Sequence, residues 1–530
     1  MYPTPRSHRP LIMGRNGAVG ANHPAAAQAG LDTLRAGGNA VDAAVAISLA
    51  LGVCEPMMSG LGGDGFFHVW RPGQPATVFN GTGPAPAAAT LDRFAAGIPI
   101  AGPLSASVPG KLAGLSAMHK ANGRLPWAGL AAPAIVLARE GFAATHGYRL
   151  FTGDNRAKLA ADSRSAARFL GKQLGDLVVQ PDLARTLEEI AADGAETFYR
   201  GRVATRLAQG FAETGCLITS ADLDACVAEV TVPIGVRYRG WEITQTPPNS
   251  TGFTMLQMLK IAERFNLATM SPADRVHVLV EAKKLAFRDR ERYGTDPNFG
   301  AVPLEHLLSD RYADEQAARI DLHRSAELSL QDRAQAADTT YFCVVDAHGN
   351  AVSAIQSING AYGSGVTAGD TGVLMNNRMA YWHLAPGHAN QLVAGKRVRH
   401  TMNAPMVLKD GALWGVLGTP GADNQVQVNL QVLTAMLDGG ADPQTAIEMP
   451  RWTSSQPGQG ANWPHEGDGA LTIETDFGAD TLVELERRGH RLNRVGHLGG
   501  PCAMQAICVL PNGVRMAASD TRRDGWAGAY

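Results

Sequence analysis

The chain has 530 residues, 45% hydrophobic and 18% charged, which supplies a large core and excludes a disordered chain. With 47 basic and 49 acidic residues the formal net charge is −2, so the basic footprint of a nucleic-acid or anionic-membrane binder is missing. The six cysteines (Cys54, Cys216, Cys226, Cys343, Cys502 and Cys508) form no CxxC or other metal-ligand spacing, and reduced thiols inside a cytosolic fold are expected.

In chain order, the opening MYPTPRSHRPLIMG lacks an apolar run long enough for a signal peptide. The longest apolar stretch, residues 40–53, is broken by Asp42 and is too short to span a bilayer. A cytoplasmic protein that does not contact a membrane is expected. Residues 24–53 read as two helices: AAAQAGLDTLRA ends at Gly37-Gly38, and Asn39 caps AVDAAVAISLALGV, apolar on nearly every face and so buried. The glycine loop of EPMMSGLGGDG leads into a strand at residues 66–70, with Asp64 assigned to the turn in preference to a substrate contact. Helical spacing dominates from Lys111 to Ile190 and returns in TMLQMLKIAERFNL and ADRVHVLVEAKKLAFRDRERYG.

The polar, alanine-rich stretch from Ser325 to Asp338 reads as an exposed connector. At Thr339 the character changes. TTYFCVV is a strand by its β-branched and aromatic content, DAHGN a turn, and AVSAIQSI the returning strand. Further strands are expected at GVLMNN, APMVLKDGALWGVLG, LTIET, MQAICVL and VRMAAS, with helices at QVQVNLQVLTAMLDGG and ADTLVELERRGH. The 60 glycines are not periodic but cluster in SGLGGDG, NGTG and GTPGAD, as in an enzyme whose tight loops approach one site.

Taken alone, Thr339 and Thr340 are ordinary strand residues. A cut before Thr339 would place a hydroxyl and a free α-amine on one residue, and the amine can act as general base for that hydroxyl. An α-amine has a reference pKa of roughly 7.7–8.0, so much of it is neutral near neutral pH. The fifteen histidines show no HxH or HExxH grouping, so no catalytic metal is expected.

The run TTYFCVVDAHGNAVSAIQSINGAYGSG followed by GDTGVLMNN resembles the start of the small subunit of γ-glutamyltranspeptidases. GNAVDAAVAISLALGVCEPMMSGLGGDGF, VPGKLAGL, LAREGF, FYRG, TPPNSTGFTMLQML, EAKKLAFRDRERYGTDP and ASDTRRDGWA follow in the family's order, over nearly the whole chain. The resemblance implies an α/β (α+β) fold, a four-layer αββα sandwich built from both halves of the chain. It implies a precursor that cuts itself before Thr339, giving a large fragment 1–338 and a small fragment 339–530 of one catalytic unit, with two such pairs able to form a dimer.

Carried over residue by residue, the resemblance makes Thr339 the nucleophile, Ser357 the nearby hydroxyl and Asn359 a substrate-pocket residue. The oxyanion pair falls at Gly421 and Ala422; alanine keeps the N–H that this work needs. The glutamate-reading residues depart. The family arginine falls near Thr82, its glutamine and aspartate at Arg378 and Tyr381, and its paired serines at His400 and Thr401. Losing the aspartate removes the partner of a substrate ammonium, while Arg378, with Arg399 and His400 near in sequence, suits an anion lacking an amine. Arg378 stays open between substrate contact and an ordinary ion pair, and His400 between substrate contact and a structural histidine. Arg522 and Arg523 are expected in structural ion pairs, with contact to the site as the alternative. The pattern looks more like the hydrolytic branch that includes oxamate amidohydrolase and cephalosporin acylases, acting without a cofactor on a small-molecule amide. A γ-glutamyl transferase of glutathione-like donors and a non-catalytic protein on the same scaffold are the alternatives.

Overall fold

Two seven-stranded antiparallel sheets lie face to face in a computed structural model that describes residues 7–326 and 339–530. The first runs Trp526–Ala529, Gly17–Ala21, Thr340–Asp346, Ala351–Ser357, Asp64–Trp70, Thr77–Gly81 and Glu229–Thr231. The second runs Ile12–Gly14, Arg515–Ser519, Gln505–Val509, Ala412–Gly418, Met406–Lys409, Trp241–Gln245 and Ile234–Tyr238. Both sheets therefore draw strands from either side of residue 339.

The pleat sorts the side chains into layers. In Thr340–Asp346, Tyr341, Cys343 and Val345 join Phe66, Ile355, Met406, Val416 and Ile507 in a core between the sheets. Phe342 and Val344 point the other way, into a core shared with the helices Pro24–Arg35 and Ala40–Cys54. A third core separates the second sheet from Gly252–Ala262, Pro272–Tyr293 and Asn424–Leu437. Helices, sheet, sheet, helices: this is the αββα order.

Local sequence explains the elements. Asn39 closes a capping box with Asp42, and all fifteen residues of Ala40–Cys54 are buried, as its apolar faces require. The hairpin of Thr340–Asp346 and Ala351–Ser357 turns at Gly349, whose φ of 81° suits glycine. GVLMNN departs from the expected strand. Leu374 and Met375 make only isolated bridges, and the chain passes into a 3₁₀ turn at Arg378–Tyr381. The cause lies in the asparagine carboxamides. Asn376 Nδ2 donates to the Gly62 and Ser107 carbonyls, and Asn377 Oδ1 accepts from Gly360 N–H, replacing a ladder. Asp64, assigned to a turn, is instead the first residue of a buried strand.

Of the connector expected between Ser325 and Asp338, residues 327–338 lie outside the described residues. Ser325 itself is buried, its hydroxyl accepting from Lys284 Nζ at 2.7 Å. The hairpin Ile234–Tyr238 and Trp241–Gln245 and the terminal strands were not foreseen. All six cysteines are unpaired and five are buried. Among the described residues no helix is long and apolar enough to cross a membrane.

Candidate active site

Three neighbouring strands place three polar side chains in one row. Thr340 pairs with Gln356, and Ser357 pairs with Asp64. Thr339, just before its strand, thus lies beside Ser357 and donates from Oγ to Ser357 Oγ at 3.2 Å. Each of the three stands two residues from a side chain of the inter-sheet core: Tyr341, Ile355 and Phe66. The pleat therefore turns Thr339, Ser357 and Asp64 toward the space between the sheets. All three are buried.

Beyond Ser357 the chain bends sharply. Asn359 has φ 76°, left-handed for a residue with a side chain, and its N–H donates to Ser357 Oγ at 2.8 Å. Its Nδ2 donates to the Asn377 carbonyl (3.1 Å) and to Asn462 Oδ1 (2.8 Å), while the buried Oδ1 has no partner among the described residues. One oxygen acceptor is thus left open beside the hydroxyl pair.

The second cluster is organised by Asp64. Its Oδ1 accepts from Gly83 N–H at 2.8 Å, and its Oδ2 lies 3.3 Å from both Arg378 Nε and His400 Nε2. The Arg378 guanidinium stacks over the Tyr381 ring, 4.5 Å from its centroid, and Tyr381 Oη lies 3.0 Å from Thr401 Oγ. Arg378 Nη1 and Nη2 and His400 Nδ1 are buried without partners among the described residues. A buried guanidinium with both terminal nitrogens open can accept a planar anion in a bidentate manner. Burial, then the Arg378 charge, pushes the His400 imidazole down to about 4 against the pull of Asp64, so it is neutral near pH 7.

The third part comes from the facing sheet. Ala412–Gly418 runs under Tyr341 and opens into residues 419–422 before the helix Asn424–Leu437. Gly421 has φ 121°, and a Cβ there would meet Cys502 Sγ at 2.5 Å, so only glycine fits. Ala422 sits at φ 48°, in the left-handed region that costs a non-glycine residue about 1–2 kcal/mol. The pair lines a cavity of about 230 Å³ with Lys283, Asp423 and Gln459, and Ala422 packs in the same apolar cluster as Tyr381 and Trp382. Backbone N–H groups at a helix N-terminus favour an anion.

The structure thus links Thr339, Ser357 and Asn359 by hydrogen bonds and gathers Arg378, Tyr381, His400 and Thr401 around Asp64. Ala422 packs with Tyr381 in one apolar cluster, and Gly421 precedes it beside Cys502. Arg522 pairs with Glu474 (2.8 Å) and Asp520 (3.3 Å), as expected of a structural residue. Arg523 lies over the Phe151 ring, 5.0 Å from its centroid. Asn462 was missed, and Asp64, weighed as a substrate contact, was assigned to the turn. Asp64 shared the parity of Phe66, which was the available signal; Asn462, 103 residues from its partner Asn359, left none.

Comparison with known proteins gives a consistent picture. The family model described as gamma-glutamyltranspeptidase matches residues 26–530. The chain is 38% identical to the glutathione hydrolase-like YwrD proenzyme of Bacillus subtilis, over 97% of this chain and 99% of that one. It is 34% identical to the oxamate amidohydrolase proenzyme of Klebsiella pneumoniae, over 97% and 98% respectively. The crystal structure of cephalosporin acylase from Bacillus halodurans superposes with a TM-score of 0.91 at 33% identity, covering 100% of this chain and 98% of that one.

Proposed function

This chain belongs to the gamma-glutamyltranspeptidase family and is a hydrolase of C–N bonds, and from that premise we propose that it matures by cutting itself before Thr339 and then hydrolyses an amide of a small anion. The scissile bond joins Asp338, which lies outside the described residues, to Thr339. Thr339 Oγ attacks the preceding carbonyl, the acyl group moves from nitrogen to oxygen, and water hydrolyses the ester to free the α-amine. The fragments 1–338 and 339–530 remain one unit because each sheet contains strands of both. Assembly of two such pairs belongs to this reading.

In turnover the Thr339 amine takes the hydroxyl proton as Oγ adds to the substrate carbonyl. Ser357 Oγ, 3.2 Å away, steadies the nucleophile. The N–H groups of Gly421 and Ala422 hold the oxyanion. The amine returns its proton to the leaving nitrogen, which departs as ammonia from a primary amide, and water releases the acid.

The observation that carries the substrate class is the Arg378 guanidinium, buried with Nη1 and Nη2 open. Asp64 is already engaged by Arg378 and His400, so it is a poor partner for a substrate ammonium. Oxamate, a carboxylate next to an amide with no amine, satisfies both conditions and would yield oxalate and ammonia. The likeness to a cephalosporin acylase favours an acylated β-lactam as the second reading. Ammonia release from oxamate, set beside turnover of a γ-glutamyl anilide and an acylated β-lactam by the processed enzyme, decides. Oxamate hydrolysis with little γ-glutamyl transfer supports the proposal; no ammonia from oxamate refutes its oxamate form.

A further inference from the structure

Away from this site, the buried face of the long helix Pro272–Tyr293 carries His277 and Glu281 one turn apart, and His490 lies against them from the loop after the helix Ala479–Arg487. The donor atoms of all three lie within 4.8 Å of one another. His277 Nδ1 is 2.8 Å from His490 Nε2, and His277 Nε2 is 2.7 Å from the Asp321 carbonyl. That carbonyl can only accept, so a neutral His277 carries its proton on Nε2 and turns the Nδ1 lone pair toward His490. An imidazole fixed by a backbone carbonyl on its far nitrogen is the usual support of a metal-binding histidine.

We propose that His277 Nδ1, His490 Nε2 and a Glu281 oxygen form a site for a zinc-class divalent transition metal that clamps the last described segment before residue 327, Asp321–Ala326. Two imidazoles and a carboxylate are a common zinc donor set, completed by water. Tetrahedral zinc with Zn–N bonds of about 2.0–2.1 Å sets donor nitrogens about 3.3 Å apart, so the two rings need to part by only about half an ångström. A cavity of about 280 Å³ lined by His490, Lys284, Ser325 and Ala326 gives an entry path and room for the water.

The place matters. Glu281 accepts from Lys284 Nζ (2.7 Å), Ser325 Oγ (3.4 Å) and Ala326 N–H (3.2 Å), and Ser325 N–H donates to the Arg488 carbonyl. The same residues that would bind the metal therefore hold the chain just before residues 327–338. Lys284 is the competitor: its ammonium neutralises Glu281, and a dication must displace that contact toward the Ala326 carbonyl, 3.0 Å from Nζ.

Full-length enzyme freed of metal with a chelator, then titrated with Zn²⁺ by calorimetry and assayed for bound metal after gel filtration, should take up about one zinc per chain. His490→Ala and Glu281→Gln should each lower affinity by about tenfold or more, and Lys284→Met should raise it. Hydrogen exchange of the Ser325 and Ala326 amides should slow on zinc addition. Absence of stoichiometric binding, or wild-type affinity in both ligand variants, overturns the site; unchanged exchange at Ser325 and Ala326 overturns the clamp. Should His490→Ala fail to fold, Glu281→Gln alone carries the test, since Gln keeps the side-chain volume.

Discussion

Asp64 and Ser357 are cross-strand partners in the first sheet, and through that pairing the hydroxyl beside Thr339 and the carboxylate that holds Arg378 and His400 are set side by side on one buried face. Antiparallel partners stand about 4.5–5.5 Å apart at Cα. The sheet register thereby fixes the distance between the proposed bond-breaking and anion-holding parts of the site, and a one-residue slip of either strand would turn its row member away from it.

Substitution at Arg378 should therefore separate substrates. Charge-assisted hydrogen bonds are each worth about 1.5–3 kcal/mol, so Arg378→Gln should lower kcat/KM for an anionic amide by roughly ten- to a hundredfold for each bond lost. The loss should fall mainly on KM, and a neutral amide should lose little. Equal loss on both substrates would assign Arg378 a purely structural role.

Asp64→Asn tests the organiser. Among the described residues it removes the only ion-pair partner of a buried arginine, and breaking such a pair typically costs about 3–5 kcal/mol. Thermal unfolding should show a clear fall in Tm together with a raised KM for the anion. An unchanged Tm would show that Arg378 does not depend on Asp64.

The proposed oxyanion loop makes an asymmetric prediction. Gly421→Ala must meet Cys502 Sγ and leave φ 121°, so activity should collapse. Ala422→Gly relieves a left-handed alanine worth about 1 kcal/mol and should keep or slightly improve stability and turnover. Steady-state rates of the two variants check this; comparable loss in both would contradict the backbone argument.

Much of this was legible in the chain. Thr340–Asp346 and Ala351–Ser357 declared themselves by β-branched content and a glycine turn, and the helix Ala40–Cys54 by its cap and apolar faces. Arg378 and His400 were open between substrate contact and ordinary structural roles, because their meaning depends on a carboxylate more than 300 residues away. Asp64 looked like a loop aspartate since glycines precede it, and only the sheet register shows that it begins a strand. GVLMNN had strand composition, but its asparagines satisfy backbone groups with their side chains.

Acid should destabilise the fold before the carboxylates titrate. Burial lowers His23, His68 and His400 to about 4 from the usual 6.5. The unfolded chain then binds these protons first, so stability is full above pH 6.5 and is lost as pH falls toward 4. Glu291, held down to about 2 by Arg399 and Arg290 against its own burial, acts only below its ordinary 4.5. Tm measured against pH should decline between 6.5 and 4.5; a flat profile there would contradict neutral burial of the three histidines.

The central claim is that Thr339 is a hidden N-terminus. Intact-mass analysis and N-terminal sequencing of the denatured, purified protein test it directly. Two fragments are expected in place of the 55.9 kDa chain, the smaller beginning Thr-Thr-Tyr-Phe, and a single uncut chain is expected for Thr339→Ala. A wild-type protein that stays in one piece while active, or a fragment that begins at any other residue, would contradict it.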